Sequence, residues 1–318
     1  RLYTEHGVLR YDGAGRPWRF GDVIEVVHAK PASDTQSALY RFLLDRRRHA
    51  PTAHPGLLPK VSRTLMLEGL PADERTPARL AAALTDRDVV FSWERAAGWL
   101  NGPMTAEAWE ALIPTMGYMA LLRNLNNFDR AGIAKPAAAD VAARLEEGVQ
   151  RSKVLPFRFL SAYRALEADT YKVALSAAAD LSMVNLPMFA GRTLIMVDCS
   201  GSMADPVGGK SRQPLTRSMA AGFIAESLGR RCESCRIVGY DTQPLWRETP
   251  QAHVNILRAA ADDRYGPRGG TNTWTSTATA LASYPADRVI IITDEQTSDR
   301  DILPPSLPVI TWNVGGYK

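Results

Sequence analysis

Five oxygen-bearing side chains fall in three separated stretches. Asp198, Ser200 and Ser202 alternate in Asp198-Cys199-Ser200-Gly201-Ser202, Thr271 follows Gly269-Gly270, and Asp294 closes Ile290-Ile291-Ile292-Thr293-Asp294. All five are hard oxygen donors. They suit a small hard cation that prefers octahedral oxygen coordination and keeps several waters, which points to Mg²⁺. The alternation sets donors two residues apart on one side of a turn. Gly201 would permit the tight backbone, and the glycine pair before Thr271 would let its loop approach closely. The plainer reading is that Asp198 and the serines cap a following helix, but a cap does not predict the other two stretches. Hydroxyls predominate and Glu295 is the only further acid beside them. Two-metal hydrolysis needs several carboxylates converging on adjacent ions, so the expected role is non-catalytic. No Gly-x-Ser-x-Gly elbow surrounds Ser200 and the chain has no Gly-x-x-x-x-Gly-Lys loop, which argues against a serine hydrolase and a nucleotide-phosphate loop.

The elements around these stretches have a recognisable order. Continuous apolar runs at 193–197, 236–240, 289–293 and 309–314 alternate with helical patterns at 214–228, 254–261 and 275–283. Strands buried on both faces and alternating with helices predict a parallel α/β sheet, Rossmann-like in class. Ligands of such sheets sit beyond the carboxyl ends of the strands, where Asp198 and Asp294 fall. Before Pro187 the texture is helical. Ser33-Asp34 can cap a helix carrying Leu39, Phe42 and Leu43, and Thr76-Pro77 opens another with Pro in its first turn. Thr105 precedes Trp109, Leu112 and Ile113, and further helical stretches cover 115–128, 137–150, 157–167 and 171–185. Short Pro- or Gly-bearing linkers between them predict helical hairpins stacked in a HEAT-like array, without a strict sequence repeat. The expected organisation is therefore multidomain α and α/β: a helical-repeat domain over 1–187 and a Rossmann-like domain over 188–318.

Composition bounds the rest. At 318 residues, 45% apolar and 23% charged, the chain has the makeup of a globular protein of two domains. No apolar run is long enough to span a bilayer, and no basic start followed by an apolar core marks a secretion signal. Three cysteines, an odd number, point to a reducing cytoplasm rather than a disulfide framework. The chain begins at Arg1, as a processed or trimmed chain would. The formal charge of +4 is uneven: residues 1–63 hold 11 Lys/Arg against 6 Asp/Glu, leaving 27 against 28 elsewhere. The excess includes Arg46-Arg47-Arg48 at the end of a helix. Clustered cations there would draw phosphates and give salt-dependent affinity, or else complement the helix dipole.

The three oxygen-bearing stretches resemble the metal-ion-dependent adhesion site of von Willebrand factor A domains, in the right order over roughly 190–318. The resemblance implies that Asp198, Ser200, Ser202, Thr271 and Asp294 hold Mg²⁺ directly or through water. It also implies an open coordination position that takes an acidic group from a partner. The helical half carries a second resemblance. Met119-Ala120-Leu121-Leu122-Arg123-Asn124-Leu125 is similar to a signature of the TROVE module shared by telomerase, Ro and vault proteins. Val27-His28-Ala29-Lys30-Pro31 resembles that family's His-Pro-Lys-Pro turn, with Ala29 departing from it, and Leu155-Pro156-Phe157-Arg158-Phe159 with Ala162-Tyr163 also resembles it.

A TROVE module followed by an A domain is the arrangement of the Ro autoantigen family and its bacterial members. The resemblance implies a non-catalytic RNA-binding protein. Its small noncoding Y-like RNA would lie on a basic helical surface, with the ends of defective RNAs bound in quality control or degradation, beside an exoribonuclease or another protein. His28, Lys30, Arg46, Arg47, Arg48, Arg123, Lys153 and Arg158 are the expected RNA contacts, although Arg123 could instead pair with Asp129. The helical part is shorter than the family's, and the chain stops at Gly315-Gly316-Tyr317 before the usual closing helix. That argues against a closed ring that threads RNA and leaves binding to an open basic face. A Mg²⁺-dependent protein-interaction scaffold without an RNA role is the competing reading.

Two further features point to ordinary structure. Cys232-x-x-Cys235 lacks the second ligand pair that zinc needs, with His253 the nearest histidine in sequence. Seven tryptophans invite base stacking, but Trp93, Trp99 and Trp109 sit at helical positions suited to packing; Trp18 and Trp274 are left undecided, Trp274 beside the cation loop.

Overall fold

A computed structural model describes residues 3–13, 17–47, 53–207, 215–246, 257 and 265–316. The chain divides into two compact units: residues 1–117 with 130–138, and residues 118–129 with 139–318.

The first unit is helical: α1 (Glu5–Tyr11), α2 (Phe20–Val27), α3 (Asp34–Arg47), α4 (Pro59–Glu68), α5 (Pro77–Leu84), α6 (Trp93–Trp99) and α7 (Ala106–Leu112). Hydroxyls open three of them where expected. Ser33 accepts from the Gln36 N–H at 3.2 Å, Thr76 from the Arg79 N–H at 3.2 Å and Thr105 from the Ala108 N–H at 3.4 Å. Leu39, Phe42 and Leu43 lie at one-turn spacing on α3 and are buried with Val8, Ile24 and Val61. Trp99 and Trp109 are buried too, and the indole N–H of Trp99 donates to the Leu67 carbonyl at 3.0 Å. Both are packing residues.

The second unit holds α8 (Tyr118–Ala131, as far as Asp129), most of α9 (Lys135–Ser152), α10 (Phe157–Ala165) and α11 (Lys172–Ser182), followed by a mixed five-stranded sheet. The change from helix to sheet falls between Asn185 and Phe189. The strands are β1 (Phe189–Asp198), β2 (Cys232–Tyr240), β3 (Pro244–Trp246), β4 (Arg288–Thr293) and β5 (Val309–Asn313), in the order β3-β2-β1-β4-β5. β1 pairs in parallel with β2 and β4, β4 in parallel with β5, and β3 in antiparallel with β2. Alternate residues of β1 serve opposite faces. Ile195 and Val197 pack with Ala221 and Ala225 of α12 (Arg217–Gly229), and Leu194 and Met196 with Ala280 of α13 (Thr273–Ser283).

The apolar runs therefore mark the central strands, as their two-sided burial requires. Two departures stand at the edges. β3 was not anticipated, because it is three residues long and opens with proline. β5, at the edge of the sheet, is not buried on both faces: Ile310 and Trp312 are exposed. The helix expected at 254–261 lies outside the described residues apart from Leu257.

Candidate functional site

The chain leaves β1 to form β2 on one side of it and later returns as β4 on the other. That reversal puts the switch point at the carboxyl ends of β1 and β4, where doubly wound sheets bind ligands. Asp198 ends β1, and Thr293-Asp294 end β4 and lead out of it. Both carboxylates are fully buried.

Asp198 is held from two sides. Its Oδ1 accepts the Ser200 N–H at 2.8 Å and its Oδ2 accepts the Thr293 hydroxyl at 2.5 Å. Burial raises its carboxyl above the usual range; the hydrogen bonds from Thr293 and Ser200 oppose this and the nearby Asp294 adds to it. The Ser200 and Ser202 hydroxyl oxygens lie 3.2 Å apart. The loop before Thr271 is joined to the exit of β1: Arg268 N–H donates to the Cys199 carbonyl at 2.7 Å and Gly201 N–H to the Gly269 carbonyl at 2.9 Å. Thr271 is buried, and its carbonyl accepts both the backbone N–H (3.0 Å) and the hydroxyl (2.7 Å) of Ser298. All three stretches thus meet at one sheet edge. The glycines are not forced there by space. A Cβ on Gly201, Gly269 or Gly270 would meet nothing nearer than 3.4 Å, and none of the three has a positive φ.

The donor set suits Mg²⁺. Its oxygens lie 2.0–2.1 Å from the ion, which puts adjacent ligands about 2.9 Å apart, close to the separation of the two serine hydroxyls. Among the described residues no group of three or more His, Cys, Asp or Glu is placed to hold a metal, so a cation here would depend on hydroxyls. One residue escaped the sequence reading. Arg217, the first residue of α12, is buried and donates from Nη1 to Asp294 Oδ2 at 2.8 Å and to the Ser202 carbonyl at 3.3 Å. A cation in the first turn of a helix opposes the dipole; that was the available signal.

The expected RNA contacts differ in their surroundings. In the first unit, Arg46 shares the buried Asp12 carboxylate with Arg19, at 3.3 and 3.4 Å. Arg47 pairs with Asp22 at 3.1 Å and also with Glu25. Both are thus engaged by acids, Arg46 by one at the end of α1 and Arg47 by two on α2. Arg48 lies outside the described residues. His28 and Lys30 are exposed, and His28 ends α2 with φ of 50°. In the second unit, Lys153 is exposed just after α9, with φ of 53°.

Arg123 and Arg158, also exposed, come together. Met119, Leu122, Arg123 and Asn126 fall at i, i+3, i+4 and i+7 on α8, and Arg158, Ser161, Ala162 and Ala165 repeat that spacing on α10. The two faces line one groove of about 460 Å³. Arg123 forms no ion pair with Asp129. Of the two tryptophans left undecided, Trp18 is 71% exposed, while Trp274 is partly buried against the sheet.

Comparisons with known proteins agree with this architecture. The model of the TROVE domain matches residues 92–230. A curated relative, the RNA-binding protein RO60 of Deinococcus radiodurans, is 28% identical over an alignment covering 65% of this chain and 41% of the relative. The crystal structure of the RO (RSR) protein of Deinococcus radiodurans superposes with a TM-score of 0.72 at 22% identity, covering 96% of this chain and 63% of that one. The chain thus spans less than half of that curated relative. Among the described residues no helix is long and apolar enough to cross a membrane.

Proposed function

Taking this chain as a Ro-like TROVE protein, we propose that it binds RNA without catalysing a reaction. The observation that carries this is the α8–α10 groove, where Arg123 and Arg158 face one opening. Guanidinium groups pair with phosphate oxygens in a forked geometry. The amide of Asn126 and the side chain of Met119 offer a hydrogen-bonding and an apolar surface to an unstacked base. The relative's name supports an RNA ligand. Small noncoding Y-like RNA, and the ends of misfolded RNA in quality control, are the substrates this reading favours. Lys153, in the same unit, would extend the contact, and His28 and Lys30 of the first unit would be separate contacts. The test is binding of a structured small RNA with a single-stranded 3′ end across a salt series. The logarithm of affinity should fall linearly with the logarithm of salt concentration; weak binding without a salt slope overturns the reading.

The C-terminal sheet we read as a von Willebrand factor A-type domain. Asp198, Ser200, Ser202, Thr271 and Asp294 would hold Mg²⁺, which when bound offers a Lewis-acidic position to an acidic group of a protein partner. Support comes from the junction of the three stretches at the β1–β4 switch point. The residues of this chain hold the hydroxyls in place and keep the carboxylates from water. Partner capture should disappear with chelator while RNA binding persists.

A further inference from the structure

We propose that Arg217 is a resident counter-cation of this site: it holds Asp294 in the cation-free molecule and must release it before a divalent ion can use that carboxylate. The inference rests on reading the site as one for a cation. Asp294 is fully buried, and a buried carboxylate without a charge partner is strongly disfavoured. Arg217 supplies the partner from an adverse place, the positive end of α12. Its partners there include three oxygens reached by the same Nη1: Asp294 Oδ2 at 2.8 Å, the Ser202 carbonyl at 3.3 Å and Asp205 Oδ2 at 3.3 Å. Two of those three residues, Asp294 and Ser202, are expected to hold the ion.

An arginine cannot relieve repulsion from a second cation by losing its proton. It can only move. Asp205 provides the destination, since its side chain is 59% exposed whereas that of Asp294 is fully buried. A guanidinium that keeps Asp205 while leaving Asp294 trades a buried partner for a solvated one. The fraction of molecules in which this has happened scales the apparent affinity for the ion. Asp294 thus has a charge partner of its own, and a divalent ion takes that carboxylate only in competition with Arg217.

The experiment is calorimetric titration of the chain with MgCl₂ alone, and with MnCl₂ alone, for the unmodified protein, Arg217→Gln and the double variant Arg217→Gln/Asp294→Asn. Arg217→Gln should bind roughly tenfold or more tightly than the unmodified protein, and the double variant should lose that gain. Melting should report the same exchange: Arg217→Gln is destabilised without divalent ion and regains stability with MgCl₂, whereas the unmodified protein shifts little. Folding of Arg217→Gln only in the presence of MgCl₂ would support the exchange as well. Equal affinity of Arg217→Gln and the unmodified protein overturns the role of Arg217 while leaving a cation site in place. No binding by any of the three overturns the cation reading itself. Failure of Arg217→Gln to fold at any MgCl₂ concentration, with the double variant folded, also overturns the proposal, because the ion then does not replace the guanidinium.

Discussion

The Thr293 hydroxyl donates to Asp198 Oδ2 at 2.5 Å, linking the carboxyl ends of the two adjacent parallel strands β1 and β4 inside the core. Two residues 95 apart in sequence are thereby fixed at the point where the sheet changes winding direction. Thr293→Val removes the donor with little change of shape and leaves one carboxylate oxygen without it. Unfolding in urea should show a loss of about 1–3 kcal/mol. An unchanged midpoint would mean the carboxylate is satisfied some other way.

The cations of the first unit and those of the groove should separate by stability. Arg46 shares Asp12 with Arg19, and Asp12 also accepts the Phe20 N–H at 2.8 Å. Arg46→Ala should cost about 1–3 kcal/mol, since a buried carboxylate loses one of its donors. Arg123→Ala, on an exposed helix face, should stay within about 0.5 kcal/mol of the parent. Equal stability of the two variants would remove the distinction between engaged and outward-facing cations.

Gly222→Ala tests the support of the Thr271 loop. By propensity alone, alanine inside α12 would add about 1 kcal/mol. Here a Cβ would lie 2.6 Å from Tyr265 Cδ2, and that buried ring donates its hydroxyl to Glu226 Oε1 at 2.9 Å. Overpacking of this kind costs about 1–3 kcal/mol, so the variant should be less stable than the parent. A gain in thermal stability would show that the ring relocates freely.

The paired thiols should differ in reactivity. A hydrogen bond from Cys235 lowers the Cys232 thiol to about 7, while the same contact and burial push Cys235 up. Cys232 should therefore alkylate with iodoacetamide in the folded chain with a midpoint near pH 7, ahead of Cys235 and the buried Cys199. Unfolding should abolish the order. Equal rates for all three thiols in the folded chain would contradict the assignment.

Much of the α/β architecture was legible because strands covered on both faces must be continuously apolar, and 193–197 and 289–293 are. Edge strands escape that rule, which is why β3 was missed and β5 was given two buried faces. Asp198 and Asp294 could be read together because each ends or follows such a strand, whereas Thr271 joined them through its Gly-Gly-Thr pattern. Arg217 could not be, since its partners Asp205 and Asp294 lie 12 and 77 positions away and only tertiary packing joins them. The ion pairs of Arg46 and Arg47 were hidden for the same reason: the acids that engage them come from α1's end and from α2. The groove is intermediate. Each helix face has a readable spacing, but the pairing of α8 with α10 does not.

The central claim is that RNA lies on the α8–α10 groove, and salt titration of the double variant Arg123→Glu/Arg158→Glu tests it most directly. With a structured small RNA as ligand, the account predicts weaker binding and a slope of log affinity against log salt reduced by about 1–2 relative to the parent. Parental affinity and slope in that variant would contradict it.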